Sequence, residues 1–148
     1  MREAFGGTFT IQLILIFIAI YIAFIAVALN YAKAFRVKNQ IINLIEQNEG
    51  IEDTEWTDQS GVIGEINNYL GQMSYYVDLN KVSNNNTNTL HCYENGYCIE
   101  EYSLGSVDEI NSVYYKVTTY VKIDLQVFRL NFTIPITGET RKIERINT

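Results

Sequence analysis

Histidine, cysteine, proline and positive charge are all scarce in this chain of 148 residues. It has His91 alone, Cys92 and Cys98, Pro135 alone, and eleven Lys and Arg against seventeen Asp and Glu. A catalytic histidine needs an oriented partner, and the residues around His91 supply no recognisable one. No Gly-x-Ser-x-Gly elbow, His-Glu-x-x-His or Walker A loop occurs. Gly61-x-x-Gly64 is too sparse for a phosphate loop. Glu100 and Glu101 adjoin on an expected strand, so they point to opposite faces and do not form an acid–base pair. Two thiolates plus His91 leave a tetrahedral zinc site without its fourth ligand. The acidic residues lack the spacing and the bidentate glutamate of a calcium-binding loop. The reading is therefore a non-enzymatic chain with no metal site and no cofactor. The net charge of −6 also excludes nucleic acid as the expected partner, because binding to phosphates needs a basic surface. The densest basic groups are Lys33, Arg36, Lys38 and Arg141, Lys142, Arg145.

Charge of either sign is missing altogether from Thr8 to Leu29, where most positions are Ile, Leu, Phe, Val or Ala. As a helix this segment spans about 33 Å, matching a hydrocarbon core of about 30 Å. It is too long for the apolar region of a cleaved secretory signal, and core helices are seldom apolar all round for such a length. A single transmembrane helix in contact with membrane lipid is expected. At 100° per residue, Gln12, Ala19, Ala23, Ala26 and Asn30 share one stripe, with Phe17, Tyr21 and Phe24 opposite. Small residues let helices approach in lipid, and a buried amide seeks a partner on another helix. The stripe is thus either a protein-packing face or simply the alanine common in such helices. The three-four spacing of Tyr31, Ala34, Phe35, Lys38, Ile41, Ile42 and Ile45 continues the helix to Glu49 as an amphipathic rod that must lie against something. Two signals of orientation conflict. Lys33, Arg36 and Lys38 favour a cytoplasmic domain by the positive-inside tendency, whereas the cysteine pair and the Asn/Thr/Tyr-rich surface favour an extracytoplasmic one. We adopt the second.

Beyond Gly50 the chain turns polar. Glu46, Glu49, Glu52, Asp53, Glu55 and Asp58 precede any further Lys or Arg until Lys81. They read as a solvated connector, or as an acidic zone facing the basic collar at residues 33–38 of an adjacent copy. Ser60–Met73 has one apolar face, Val62, Ile63, Ile66, Tyr69, Leu70 and Met73, and is expected to be helical. Asn80–Thr89 is a polar loop. Leu90–Tyr102 reads as a hairpin. A three-residue turn, Glu94-Asn95-Gly96, with Gly96 left-handed, sets Cys92 opposite Cys98 and permits a cross-strand disulfide. Strict alternation marks Ser112–Leu125 as a strand. A second strand follows at Leu130–Ile136, which Pro135 either holds to an edge or ends, and Gly138-Glu139 turns into a last strand, Thr140–Ile146. The fold class is α+β: a long N-terminal helix covering a small antiparallel sheet. The organisation is an arm or leader at 1–7, the helix at 8–49 and an extracytoplasmic domain at 50–148. Eleven tyrosines, among them Tyr75, Tyr76, Tyr93, Tyr97, Tyr102, Tyr114, Tyr115 and Tyr120, serve either packing or an adhesive, subunit-contact surface.

The start Gly6-Gly7-Thr8-Phe9-Thr10-Ile11-Gln12 resembles type IV pilin precursors. In these a short leader ends in Gly and the mature chain begins like Phe-Thr-Leu-Ile-Glu. The helix exit Phe35-Arg36-Val37-Lys38-Asn39-Gln40 and the alternation of Val117–Glu144, with Ile134-Pro135-Ile136, make the chain most similar to TadE-like proteins of tight-adherence pili; residues 50–110 carry no part of the likeness. The resemblance implies cleavage by a prepilin peptidase between Gly7 and Thr8, packing against other pilin-like subunits through the N-terminal helix, and a role in pilus assembly at the cell membrane or in an extracellular pilus. In pilins the glutamate pairs with a neighbour's new N-terminal amine; Gln12 offers a hydrogen bond there but no charge. The rival reading is a bitopic module, tethered uncleaved, that presents its domain to an extracytoplasmic ligand or partner.

Overall fold

The computed structural model describes residues 2–79, 89–107, 110–125 and 129–146; most of the expected polar loop at 80–89 lies outside them. Three helices are followed by five strands: α1 (Arg2–Gln47), α2 (Glu55–Asp58), α3 (Gly61–Gln72), β1 (Leu90–Tyr93), β2 (Tyr97–Val107), β3 (Ile110–Leu125), β4 (Leu130–Glu139) and β5 (Ile143–Ile146). The fold is α+β, with the apolar N-terminal helix laid on an antiparallel sheet.

α1 has 46 residues and is continuous through Gly6-Gly7, about 69 Å of helix. Its end is sharp. Glu49 adopts φ 57° and the Gly50 amide donates to the Ile45 carbonyl at 2.9 Å, the bond that closes a Schellman turn. The helix therefore stops two residues short of the expected Glu49.

The sheet order is β1-β2-β3-β4, all antiparallel. β5 returns to the early part of β3, Val113 opposite Ile143, while β4 pairs with the later part from Lys116 onward. β4 and β5 thus share one edge of β3 in tandem. Thr140 spans the break. Its amide donates to the Tyr115 carbonyl and its Oγ1 accepts from the Tyr115 amide, both at 2.9 Å, so neither backbone group of Tyr115 is orphaned. Gly138 and Glu139 were expected to form a turn; they lie inside β4 instead. The reason is close packing. A Cβ on Gly138 would come within 2.9 Å of Ile42 Cδ1 and Lys38 Cδ, so glycine is what lets α1 lie down on the strand. Pro135 sits mid-strand on the β4 edge, where a missing amide costs no ladder bond.

The period-two pattern of β3 sorts its faces. Val113, Tyr115, Val117, Thr119, Val121 and Ile123 are buried under the helices. Ala34, Val37, Ile41 and Ile45 of α1, with Val62, Ile63, Ile66 and Leu70 of α3, complete the core. Thr119, the one polar member of that row, donates from Oγ1 to the Ala34 carbonyl at 3.2 Å, which satisfies its hydroxyl. At the α3 N-terminus Glu55 accepts from the Val62 amide at 3.2 Å, and Asp58 accepts from the amide and hydroxyl of Ser60. These are carboxylates where exposed amides need acceptors, and the Ser60 bonds hold the Asp58 carboxyl below its usual range.

Candidate functional site

The N-terminal half of α1 stands clear of the domain. From Phe9 to Leu29 its large apolar side chains are exposed, Phe24 at 70%. The most apolar 18-residue window has a mean hydropathy of 2.8, with none of it buried. The segment is long and apolar enough to cross a membrane, and it is not a core helix of its own domain.

Gln12, Ala19, Ala23, Ala26 and Asn30 all lie on this one helix, Ala19 and Ala23 half-covered and the others exposed. Helical geometry puts Val37 and Ile41 within about 20° of the direction of Gln12. The stripe is therefore the continuation of the row that α1 buries on the sheet, and it points to the same side as the folded domain. Its last member, Asn30, already borders the domain, in a shallow groove with Lys33, Ser74, Tyr75 and Tyr120. Gly7 and Thr8 sit within unbroken helix with no side chain packed near Gly7.

Two of the three collar residues are engaged within the chain. Lys38 is buried, its ammonium 4.3 Å from the centroid of the Phe35 ring and its stem against Gly138. Lys33 donates to the Ser74 carbonyl at 2.9 Å. The acidic side is also used internally. Glu46 accepts from the Arg141 amide at 2.7 Å and lies 3.8 Å from its Nε, and Glu55 and Asp58 serve α3. Arg36 of the collar and Glu49, Glu52 and Asp53 of the acidic stretch remain exposed.

At the start of β2, level with the point where Thr119 of β3 meets Ala34, Cys92 is bonded to Cys98, with Tyr93 opposite Tyr97 and Gly96 at φ 93°. This is the three-residue turn the spacing predicted. The tip is pinned to its surroundings: Asn95 donates to Asn67 Oδ1 at 2.9 Å, and the Tyr97 hydroxyl donates to the same oxygen at 3.0 Å. Tyr75 does something the sequence did not announce. Beyond Tyr97, β3 has no β2 neighbour, and the Tyr75 hydroxyl takes the place of one. It accepts from the Tyr120 amide at 2.9 Å and donates to the Tyr120 carbonyl at 2.7 Å. Burial pushes the Tyr75 hydroxyl up to about 12, consistent with a group held protonated.

A polar cluster closes the far end of the core. Arg145 donates to the Ile51 carbonyl and to the Tyr115 hydroxyl, which accepts from the Ile51 amide at 3.2 Å, and Arg145 Nη1 lies 4.0 Å from Glu101. His91 stacks on Trp56 with centroids 4.2 Å apart; burial pulls its pKa below the usual value, opposed by Glu101. These groups clasp β5 and the α1–α2 connection onto the sheet. Among the described residues no three His, Cys, Asp or Glu side chains are grouped as metal ligands. The tyrosines divide by face. Tyr75, Tyr93, Tyr97 and Tyr115 are buried in packing, whereas Tyr102 stacks on Tyr114 on the outer face, centroids 5.0 Å apart, and Tyr76 is exposed. Comparison with protein-family models, with curated proteins and with solved structures yields no match.

The architecture is pilin-like: a long apolar N-terminal helix whose second half packs on an antiparallel sheet. It combines a possible membrane-anchoring segment with a disulfide-bearing domain of the kind suited to an extracytoplasmic setting.

Proposed function

We propose that this chain is a non-enzymatic, membrane-anchored, TadE-like subunit of a bacterial surface pilus or of its assembly machinery, with its sheet domain outside the cytoplasm. The observation that carries the reading is the division of α1. One end is apolar and uncovered, and the other is the spine of a folded domain. In a filament the uncovered end exchanges lipid for the helices of other pilin-like subunits, with the Gln12–Ala19–Ala23–Ala26–Asn30 stripe as the close-approach face. Neither nucleic acid nor a cofactor enters this role. Processing by a prepilin peptidase between Gly7 and Thr8 fits the paired glycines, each of which weakens a helix by about 1 kcal/mol relative to alanine and so eases the local opening that cleavage needs.

A second reading, the uncleaved bitopic module, is favoured by the unbroken helix through Gly7-Thr8 and by Gln12 in place of a glutamate. Intact-mass measurement of the protein from its native membrane separates the two. Loss of residues 1–7 supports the pilin reading; a full-length chain confined to the membrane fraction supports the tether. Recovery of the full-length chain in the soluble fraction without detergent defeats both.

A further inference from the structure

The folded domain reaches down alongside the apolar segment rather than starting where that segment ends. α1 and β3 run antiparallel: Ala34 meets Thr119, Lys38 and Ile42 meet Gly138 opposite Val117, and Glu46 meets Arg141. Moving toward the N-terminus of α1 therefore means moving toward the β3–β4 hairpin end. Val27, inside the charge-free segment, is packed against the core. From Thr119 to Leu125 the strand adds about 20 Å, a distance α1 covers in about 13 residues. The hairpin end thus overlaps the last turns of the charge-free segment by a wide margin.

The exposed surface there matches that position. β3 and β4 present an apolar inner face, and on β4, beyond the cover of α1, Leu130 is 49%, Phe132 45% and Ile134 38% exposed. On the neighbouring flank of α1, Tyr31 and Phe35 are exposed too, Tyr31 within about 20° of Lys38 around the axis. The outer face of the same hairpin is polar, with Lys122 opposite Thr133 and Asp124 opposite Asn131. The charge on the hairpin is mostly basic. On the hairpin end itself Lys122 and Arg129 stand against Asp124, in a chain whose net charge is −6. An apolar face with basic residues at its rim is the pattern of a segment lying about 5–10 Å deep in a membrane interface.

We propose that the β3–β4 hairpin is a second membrane contact. Leu130, Phe132 and Ile134 rest in the headgroup–acyl boundary of the bilayer that holds α1, and Lys122 and Arg129 face its phosphates. The proposal rests on α1 being a membrane anchor. It adds that the domain is docked on the lipid surface at a fixed tilt rather than hanging free from a stalk.

The test is tryptophan quenching by brominated phospholipid, with the full chain reconstituted into phosphatidylcholine–phosphatidylglycerol vesicles. Native Trp56, at the far end of the domain, is the internal reference. Phe132→Trp and Phe17→Trp are each made in a Trp56→Phe background, and Ile134→Trp is a second hairpin probe should Phe132→Trp fold poorly. Phe17→Trp reports the anchor. The expected result is strong quenching of Phe17→Trp, and quenching of Phe132→Trp several-fold above that of native Trp56 and greatest with bromine near the headgroup end of the chain. Quenching of Phe17→Trp with Phe132→Trp no more quenched than Trp56 overturns the proposal and leaves the anchor standing. Blue-shifted but unquenched emission from Phe132→Trp means that a second protein copy covers the strand, which also overturns it. If Phe17→Trp is unquenched as well, the anchor reading falls and takes the proposal with it.

Discussion

The two halves of α1 belong to one unbroken helix and are opposite in circumstance. From Phe9 to Leu29 almost every large side chain is exposed, while Ala34, Val37, Ile41 and Ile45, on the same unbroken helix, are buried. The difference lies in what interrupts the apolar pattern. The first half is apolar all round, so any single face leaves the others uncovered, and only lipid or several neighbours can surround it. The second half carries Lys33, Arg36, Asn39, Gln40 and Glu46 between its apolar positions, which leaves one stripe the width of a sheet contact. Apolarity alone does not bury a helix in its own domain; a one-sided distribution does.

The largest expected effect comes from removing volume on the two sides of that divide. Ile41→Ala should destabilise the domain by about 2–5 kcal/mol, the range for a buried large-to-small change, whereas Ile18→Ala should leave it within about 0.5 kcal/mol. Denaturant unfolding in mild detergent, followed by the fluorescence of Trp56, measures both; equal effects would erase the distinction between the halves. Next comes the disulfide. Replacing Cys92 and Cys98 together by serine should cost about 2 kcal/mol, the chain-entropy figure for so short a loop. Alkylation without reductant should label neither cysteine in the native protein, and full labelling would count against the extracytoplasmic placement.

Tyr75→Phe removes the hydroxyl that closes the β3 edge and should cost about 1–3 kcal/mol, because the Tyr120 amide and carbonyl lose their partner. The same burial sets an alkaline limit. Tyr75, Tyr93 and Tyr115 are each raised to about 12 from 10.0. The folded state therefore favours the protonated phenols, and their contribution is complete below pH 10 and is lost as the pH rises toward 12. Thermal melts across that window should fall steeply, and more gently in Tyr75→Phe; a flat profile would mean these rings are more solvated than the structure has them. The smallest effect on the domain is expected from Ala19→Leu. It should leave unfolding within about 0.5 kcal/mol yet exclude the tagged protein from filaments or complexes. Normal incorporation would show that the stripe is not a packing face.

Much of the fold was legible where a local rule acts alone. The alternation of β3, the apolar face of α3 and the three-residue turn between Cys92 and Cys98 depend on neighbours a few residues away, and each was read correctly to within a residue or two. What escaped needed partners distant in the chain. Lys38 looks like a free surface charge until Gly138 and Phe35 enclose it. Glu46 looks like part of a solvated connector until Arg141 arrives from the β4–β5 connection 95 positions later. Gly138-Glu139 looks like a turn until α1 requires a bare strand beneath it. The cap provided by Tyr75 has no local signal, because it answers a vacancy left by β2 beginning only at Tyr97.

The chain's own order of residues determined the anchor-like segment, the amphipathic continuation, the α+β class and the cysteine pairing, because periodicity and turn chemistry are short-range properties. Tertiary structure alone decided which charges are free, where β5 pairs, and that the hairpin end reaches back beside the apolar segment. Those outcomes depend on the direction in which α1 crosses the sheet, a consequence of many side chains packing at once.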